Sequence, residues 1–360
     1  MEKIKVGVIG AGSISQEHIR SYLNNPGVEL YALCDINEKT LKNAGEKYGV
    51  TRLFTDKDKM LAALPELDAV SVCTWNSAHA PCAIAALNAG CHVLCEKPMA
   101  TSAAEARRMV EAAEKNNRLL MIGFVRRYGN DCAILKDFIS AGYFGDLYYA
   151  KATYLRRNGN PGGWFGDKSR SAGGPLIDLG VHVIDLVRYL MGNPLPVSVY
   201  GAAFQKLGNR KNIKQGTGGY SSTEKSAHDI CDVEDLATAM IRFDNGAVLS
   251  VEASFSLNIK KDEGAIQLFG SKAGAKIDPE LELYTEVNGY LADVQLAYPT
   301  ALDFSGLFQR EIDHYISCIR EGISCISPAG DGVTLMEILD AVYESAATGH
   351  EVVLRGEEKK

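Results

Sequence analysis

The apolar run IKVGVIG (4–10) breaks at the glycine turn GAGSIS (10–15) and continues as a helix from about Ser13. A buried strand that feeds a helix through so tight a turn is best continued by a parallel neighbour, reached by a right-handed crossover. The same alternation recurs along the first third of the chain. VELYALC (28–34) precedes a helix over 38–48, and TRLF (51–54) is a short strand. AVSVC (69–73) precedes a helix over 78–88, CHVLC (91–95) a helix over 103–116, and LLMIG (119–123) closes the series. The spacing predicts an α/β fold whose residues 1–123 form a doubly wound, Rossmann-type parallel sheet.

After Gly123 the pattern changes. A helix over 131–140, a strand near 147–155, the loop GNPGGWFGD (159–167) and a helix within 173–190 precede strand-like runs at 196–206, 235–243, 246–258 and 264–270. Asn245-Gly246 reads as a two-residue hairpin turn between two of them. Residues 124–360 are therefore expected to form an α+β domain with a large, mainly antiparallel sheet. Helices at 306–321 and 331–346 close it, with Gly349 as a stop signal. Residues 207–228 read as a long polar loop.

The turn GAGSIS follows the GxGxxG pattern with Ser15 in the third glycine position. Gly10 permits the turn and Gly12 lets a pyrophosphate approach the backbone; Ser13 and Ile14 open the helix whose amides and dipole attract that anion. Asp35, at the end of the second strand, stands where an acid bonds the adenosine ribose, and its charge would repel a 2′-phosphate, so NAD is expected rather than NADP. Strand ends in such a sheet border the ligand crevice. Thr74, Asn76 and His79 after the fourth strand, and Glu96 and Lys97 in LCEKPM (94–99) after the fifth, are thus candidates along the cofactor.

Within GGPLIDLGVHVIDLVRYL (173–190), Asp178, His182, Asp185 and Tyr189 share one stripe of a helix that is apolar on both flanks. Such a stripe faces either a satisfied core network or an internal cleft suited to proton chemistry. The Asp178/His182 spacing also suits metal ligands on one helix face, but no third ligand can be named, and no metal is expected.

With 45 acidic against 38 basic residues, the chain lacks the basic footprint of a nucleic-acid or anionic-membrane binder. No apolar run reaches membrane-spanning length, and the nine cysteines are odd in number without a CxxC pair. A cytoplasmic protein with reduced thiols is expected.

GAGSIS, Asp35, LCEKPM and GGPLIDLGVHVIDL together resemble the Gfo/Idh/MocA family of NAD(P)-dependent sugar and inositol oxidoreductases over essentially the whole chain. That resemblance implies catalytic roles for Lys97, Asp178 and His182. It places Gly10, Gly12, Asp35, Asn76, Glu96 and Lys97 along the cofactor, and Arg126, Arg127 and Trp164 against nicotinamide or substrate. It further implies a homodimer or homotetramer formed through the exposed face of the second sheet. The implied activity is hydride transfer between NAD and a secondary alcohol of a sugar, glycoside or cyclitol, extending to C3 oxidation of a glycoside with retained NAD. The alternative is a redox-neutral, NAD-dependent glycoside hydrolase of the same fold. A nucleotide-sensing regulator would have no need of Lys97, Asp178 and His182 together.

Overall fold

The computed structural model describes residues 2–208, 210, 213, 229–278 and 280–355. Most of the polar loop expected over 207–228 lies outside the described residues. The chain divides into two compact units: Met1–Val125 with Ser305–Met336, and Arg126–Phe304 with Glu337–Lys360. The first break, at 125/126, lies beside the expected 123/124, and by contact a late segment, Ser305–Met336, groups with the first unit.

The first unit alternates β1 (Ile4–Ile9), α1 (Ser15–Asn24), β2 (Val28–Cys34), α2 (Glu38–Tyr48), β3 (Leu53–Phe54), α3 (Lys57–Ala63), β4 (Ala69–Val72), α4 (Asn76–Asn88), β5 (His92–Glu96), α5 (Ala103–Lys115) and β6 (Leu120–Gly123). All six strands are parallel, in the order β3-β2-β1-β4-β5-β6. Helices cover both faces, so the central strands are buried apart from half-buried positions such as Lys5 of β1, with Val6, Val8, Val70, Val72 and Val93 fully inaccessible. Asn37, Asp56 and Ser102 accept first-turn amides and set where α2, α3 and α5 begin.

The second unit carries α6 (Asn130–Ser140), β7 (Leu147–Leu155), α7 (Lys168–Ser171), a π-helical turn (Leu176–Gly180) and α8 (Val181–Leu190). Strands β8 (Pro196–Phe204), β9 (Leu236–Phe243), β10 (Val248–Ser254), β11 (Glu263–Gly270), β12 (Ala273–Ile277), β13 (Glu282–Val287) and β14 (Tyr290–Val294) follow. After α9 (Phe304–Glu321) and α10 (Ala329–Thr348), β15 (Val352–Val353) completes a nine-stranded sheet in the order β14-β13-β12-β11-β7-β10-β9-β8-β15. It is antiparallel except where β7 runs parallel to β10. Along β9, Ala237, Ala239, Ile241 and Phe243 are buried while Met240 is exposed, the alternation of a sheet covered on one face.

Two turns refine the sequence reading. The β9–β10 hairpin forms, but Phe243 N–H donates to Ala247 O (2.9 Å), so its loop is three residues, with Gly246 at φ +84°. The β13–β14 hairpin was not anticipated, although Asn288-Gly289 announces it. Val287 pairs with Tyr290, and both turn residues have positive φ, the signature of a two-residue type I′ turn.

The segment α9 is part of the first unit. Asn25 Nδ2 donates to Asp313 Oδ1 (2.7 Å) and Gln309 Nε2 to Ser21 O (3.2 Å), joining α9 to α1. Ile122 N–H donates to Ser327 O (3.0 Å), which covers the open edge of β6.

Candidate functional site

In the first unit the strand order reverses between β1 and β4, and the crevice at their carboxyl ends is where such sheets take ligands. Gly10 sits there at φ +93°, and a Cβ on it would lie 2.5 Å from Cys73 O, so the turn demands glycine. Around Gly12 nothing lies within 4 Å of a Cβ position, leaving the backbone open to a ligand. Ser15 is buried and donates to Gly12 O (2.8 Å), so the departure from a third glycine ties the loop to the helix. No side chain caps α1; its Gln16 and Glu17 amides turn back onto Ser13 O (3.3 Å) and Ile14 O (3.0 Å), so the dipole of the helix start is what draws an anion there. Asp35 Oδ2 accepts the Ala11 N–H and Oδ1 the Asn37 N–H, each at 2.7 Å. An ionised carboxylate has about four acceptor sites, so capacity remains for ribose hydroxyls. These residues fit a dinucleotide: pyrophosphate over Gly12, Ser13 and Ile14, and ribose at Asp35.

At the neighbouring strand ends, Thr74 is half-buried and Asn76 buried at the start of α4. His79 is buried, with Nδ1 2.7 Å from Pro98 O and Nε2 3.0 Å from Thr74 O, and burial lowers its proton affinity. It braces the end of β4 to that of β5, both ring nitrogens being set on main-chain carbonyls. Lys97 is half-buried just past β5, joined to Pro98 by a cis peptide. Beside it the Glu96 carboxylate meets His18 Nε2 at 2.9 Å and accepts the Lys97 N–H at 3.1 Å. Burial opposes charge on both members of that pair. Even so, Cys73 and Glu96 push the His18 imidazole up to about 10, and His18 with Lys97 holds Glu96 below the usual carboxylate range. The sequence reading passed over His18, three residues beyond Ser15.

In the second unit the Gly173-Gly174 pair lets the Tyr343 side chain and the Glu234 backbone approach the start of the central helix. A Cβ on Gly173 would lie 2.1 Å from Tyr343 Oη, and one on Gly174 would lie 2.4 Å from Glu234 O. Glu234 accepts the amides of Gly174 (2.9 Å) and Leu176 (3.2 Å), and Tyr343 Oη donates to it at 2.9 Å. Pro175 follows at φ −62°, and Val181 N–H donates to Leu176 O, closing a π turn of the kind that recurs at functional sites. Leu179 anchors this turn on Ala253 and Phe255. From Gly173 to Leu190 every residue is buried except Asp178, His182 and Tyr189. Asp178 and His182 thus stand one turn apart on an accessible strip.

Asp185 and Arg127 have a different place from the one expected for Arg127. Its Nε and Nη2 fork onto the two Asp185 oxygens at 3.0 and 2.6 Å, with side-chain exposures of 0% and 3%. The guanidinium also lies 4.7 Å from the centre of the Tyr189 ring. So buried an ion pair holds α8 rather than presenting a cation to substrate. Arg126 Nη2 reaches Asp131 at 3.0 Å and Nη1 lies 3.6 Å from Asp278, with 17% of its side chain exposed. Trp164 stacks on Phe165 at 3.9 Å, in a loop tied down by the Gly163 N–H on Asp229 (2.7 Å).

Among the described residues, one His/Cys group has its donor atoms within 4.8 Å of one another: His314, Cys318 and Cys325, in the first unit. There, however, His314 Nε2 already accepts the Ile326 N–H at 3.1 Å.

Residues 4–124 match the Gfo/Idh/MocA model described as an oxidoreductase family with an NAD-binding Rossmann fold, and residues 136–354 match the same family's C-terminal alpha/beta domain. The chain is 35% identical to a D-glucoside 3-dehydrogenase of Escherichia coli, covering 98% of this chain and 97% of that protein. It is 29% identical to a myo-inositol 2-dehydrogenase of Thermotoga maritima, covering 75% and 73%. A levoglucosan dehydrogenase solved with NADH superimposes with a TM-score of 0.84 at 25% identity, covering 98% and 99%.

Proposed function

Because this chain belongs to the Gfo/Idh/MocA family of NAD-binding oxidoreductases, we propose that it oxidises a secondary hydroxyl of a pyranoside, at C3 of a glucoside-like ring, with NAD as acceptor. The observation that carries this reading is the accessible Asp178/His182 strip on a helix otherwise buried around them. The near-full-length likeness to a glucoside 3-dehydrogenase supports the choice of substrate.

Alcohol oxidation needs a base at the hydroxyl and a cation for the developing alkoxide. When bound, NAD supplies the nicotinamide carbon that accepts the hydride. His182 takes the hydroxyl proton as the hydride leaves carbon, because imidazole titrates near working pH. Lys97 bears the positive charge that steadies the oxygen. Asp178, one turn before His182, orients the imidazole or accepts a bond from an adjacent ring hydroxyl. Arg126 and Trp164 are assigned to substrate or nicotinamide contacts. Arg127 is assigned to holding α8 through Asp185.

The test offers purified protein NAD with methyl glucosides, levoglucosan and inositols, following NADH absorbance and the ketone by mass spectrometry. NADH formed in step with a keto-glycoside is expected, and His182→Ala should lower kcat by about 10²- to 10⁴-fold with NAD affinity intact. Aglycone release without net NADH would instead establish the redox-neutral hydrolase.

We further assign a homodimer or homotetramer built on the outer face of the second sheet, where Tyr200 and Met240 are cross-strand neighbours exposed at 55% and 56%. Tyr200→Glu/Met240→Glu should lower the mass seen by light scattering, and a wild-type monomer would refute the assignment. The nine free thiols, seven of them buried, support a cytoplasmic setting.

A further inference from the structure

We propose that His18 is a positioning residue for Lys97, acting through Glu96: its Nε2 holds one oxygen of the Glu96 carboxylate while the other oxygen holds the Lys97 main-chain amide. The assignment of Lys97 as the active cation rests on the functional reading above; the hydrogen-bond relay does not.

The relay lies within the first unit and is fixed at every link. His18 is fully inaccessible on α1 and Glu96 nearly so at the end of β5. His18 Nδ1 lies 3.2 Å from Ser71 Oγ, which lies 2.6 Å from Tyr22 Oη, so both ring nitrogens have oriented partners. On β6 a Cβ at Gly123 would lie 3.3 Å from Glu96 Oε2, so glycine there leaves the carboxylate its room. Phe308 of α9 packs its ring 6.3 Å from the imidazole. The groups facing the pair are Tyr22 from α1, Ser71 from β4 and Cys73 just beyond it, His79 from α4, Cys95 from β5, Lys97, and Glu311 from α9. Glu311 is buried with neither oxygen hydrogen-bonded, and burial, with the Glu96 charge beside it, raises its proton affinity well above the ordinary carboxylate range.

An imidazole so enclosed cannot touch substrate, and its work is to keep Glu96 ionised and aimed. An ionised Glu96 sets its charge beside Lys97 and fixes the backbone from which that side chain leaves β5. Without the donor, a carboxyl in this environment takes up a proton, and Lys97 loses both its neighbouring charge and its anchor.

Two uncharged variants separate this role from simple packing. Glutamine places its amide nitrogen near Nε2 and can still donate to Glu96. Asparagine reaches only as far as Nδ1, so it keeps the Ser71 side and abandons Glu96. In His18→Asn, kcat should fall about 10- to 100-fold with NAD affinity unchanged, the loss expected of a misplaced group. The acid limb of its kcat–pH profile should move upward, and His18→Gln should recover most of both. On cofactor-free protein, competitive acetylation read by mass spectrometry reports the Lys97 titration directly. A fall in the Lys97 midpoint in His18→Asn, restored in His18→Gln, supports the relay even if no sugar is turned over. Failure of wild-type protein to reduce NAD with any substrate would defeat the functional reading alone. Matching Lys97 midpoints in wild type and His18→Asn would overturn the relay.

Discussion

Arg127→Met tests the claim that this arginine is a structural strut rather than a substrate ligand. Its fork onto Asp185 makes two charge-assisted bonds at 3.0 and 2.6 Å between side chains almost wholly removed from water. Removing one partner strands a buried carboxylate, which costs about 3–5 kcal/mol. Replacing both partners together by apolar residues removes the stranded charge, so Arg127→Met/Asp185→Leu should return to within about 1–2 kcal/mol of wild type. The cycle should therefore show a coupling of about 3 kcal/mol or more. Because two compact units would blur a single midpoint, the assay is urea-dependent hydrogen exchange at the amides of α8. Additive singles, or a cost under about 1 kcal/mol with a raised substrate KM, would refute the strut and restore a ligand role.

Asp35→Ala should weaken NAD binding and admit NADP, measured as the ratio of the two dissociation constants; an unchanged ratio would remove Asp35 from the ribose. Gly10→Ala puts a methyl 2.5 Å from Cys73 O at a left-handed backbone position, and should lower both the melting temperature and NAD affinity. Stability should also fall on the alkaline side. His18, unfolded near 6.5 and folded at about 10, contributes fully below the first value, and that contribution is lost as pH rises through the second. Glu311 acts in the same direction, since folding holds its proton. Glu96, held low, contributes above the ordinary carboxylate range and loses this on acidification. Denaturation from pH 6 to 10 should show the His18 decline, and Glu311→Leu, which removes an unpartnered buried carboxyl, should add about 1–3 kcal/mol near neutral pH.

The parallel sheet was readable because each strand is a short apolar run with a glycine or polar stop. The Asp178/His182 strip was readable because its flanks are uninterrupted hydrocarbon. What escaped lies in pairings that local pattern does not carry. His18 looks like any polar residue of α1 until Glu96, 78 residues later, folds against it. Arg127 and Asp185 are each ordinary surface residue types, and only their mutual burial shows that they are occupied with one another. The strands β12 to β14 are short and carry Lys, Glu and Asp, so their hydrophobic period is faint. The return of α9 to the first unit is invisible to linear order, since its apolar stripe would serve any sheet.

That return has a consequence for how the chain is made. On the ribosome, residues 1–125 emerge long before Phe308 and Glu311, so the nascent parallel sheet waits with His18 and Glu96 uncovered and the edge of β6 open. The intervening residues must be translated before the last helix arrives to close it, a long-range closure of the kind that folds slowly and exposes a strand edge to other chains. A fragment ending near residue 300 should accordingly bind a hydrophobic dye and aggregate, and adding the missing segment as a separate peptide should quiet it.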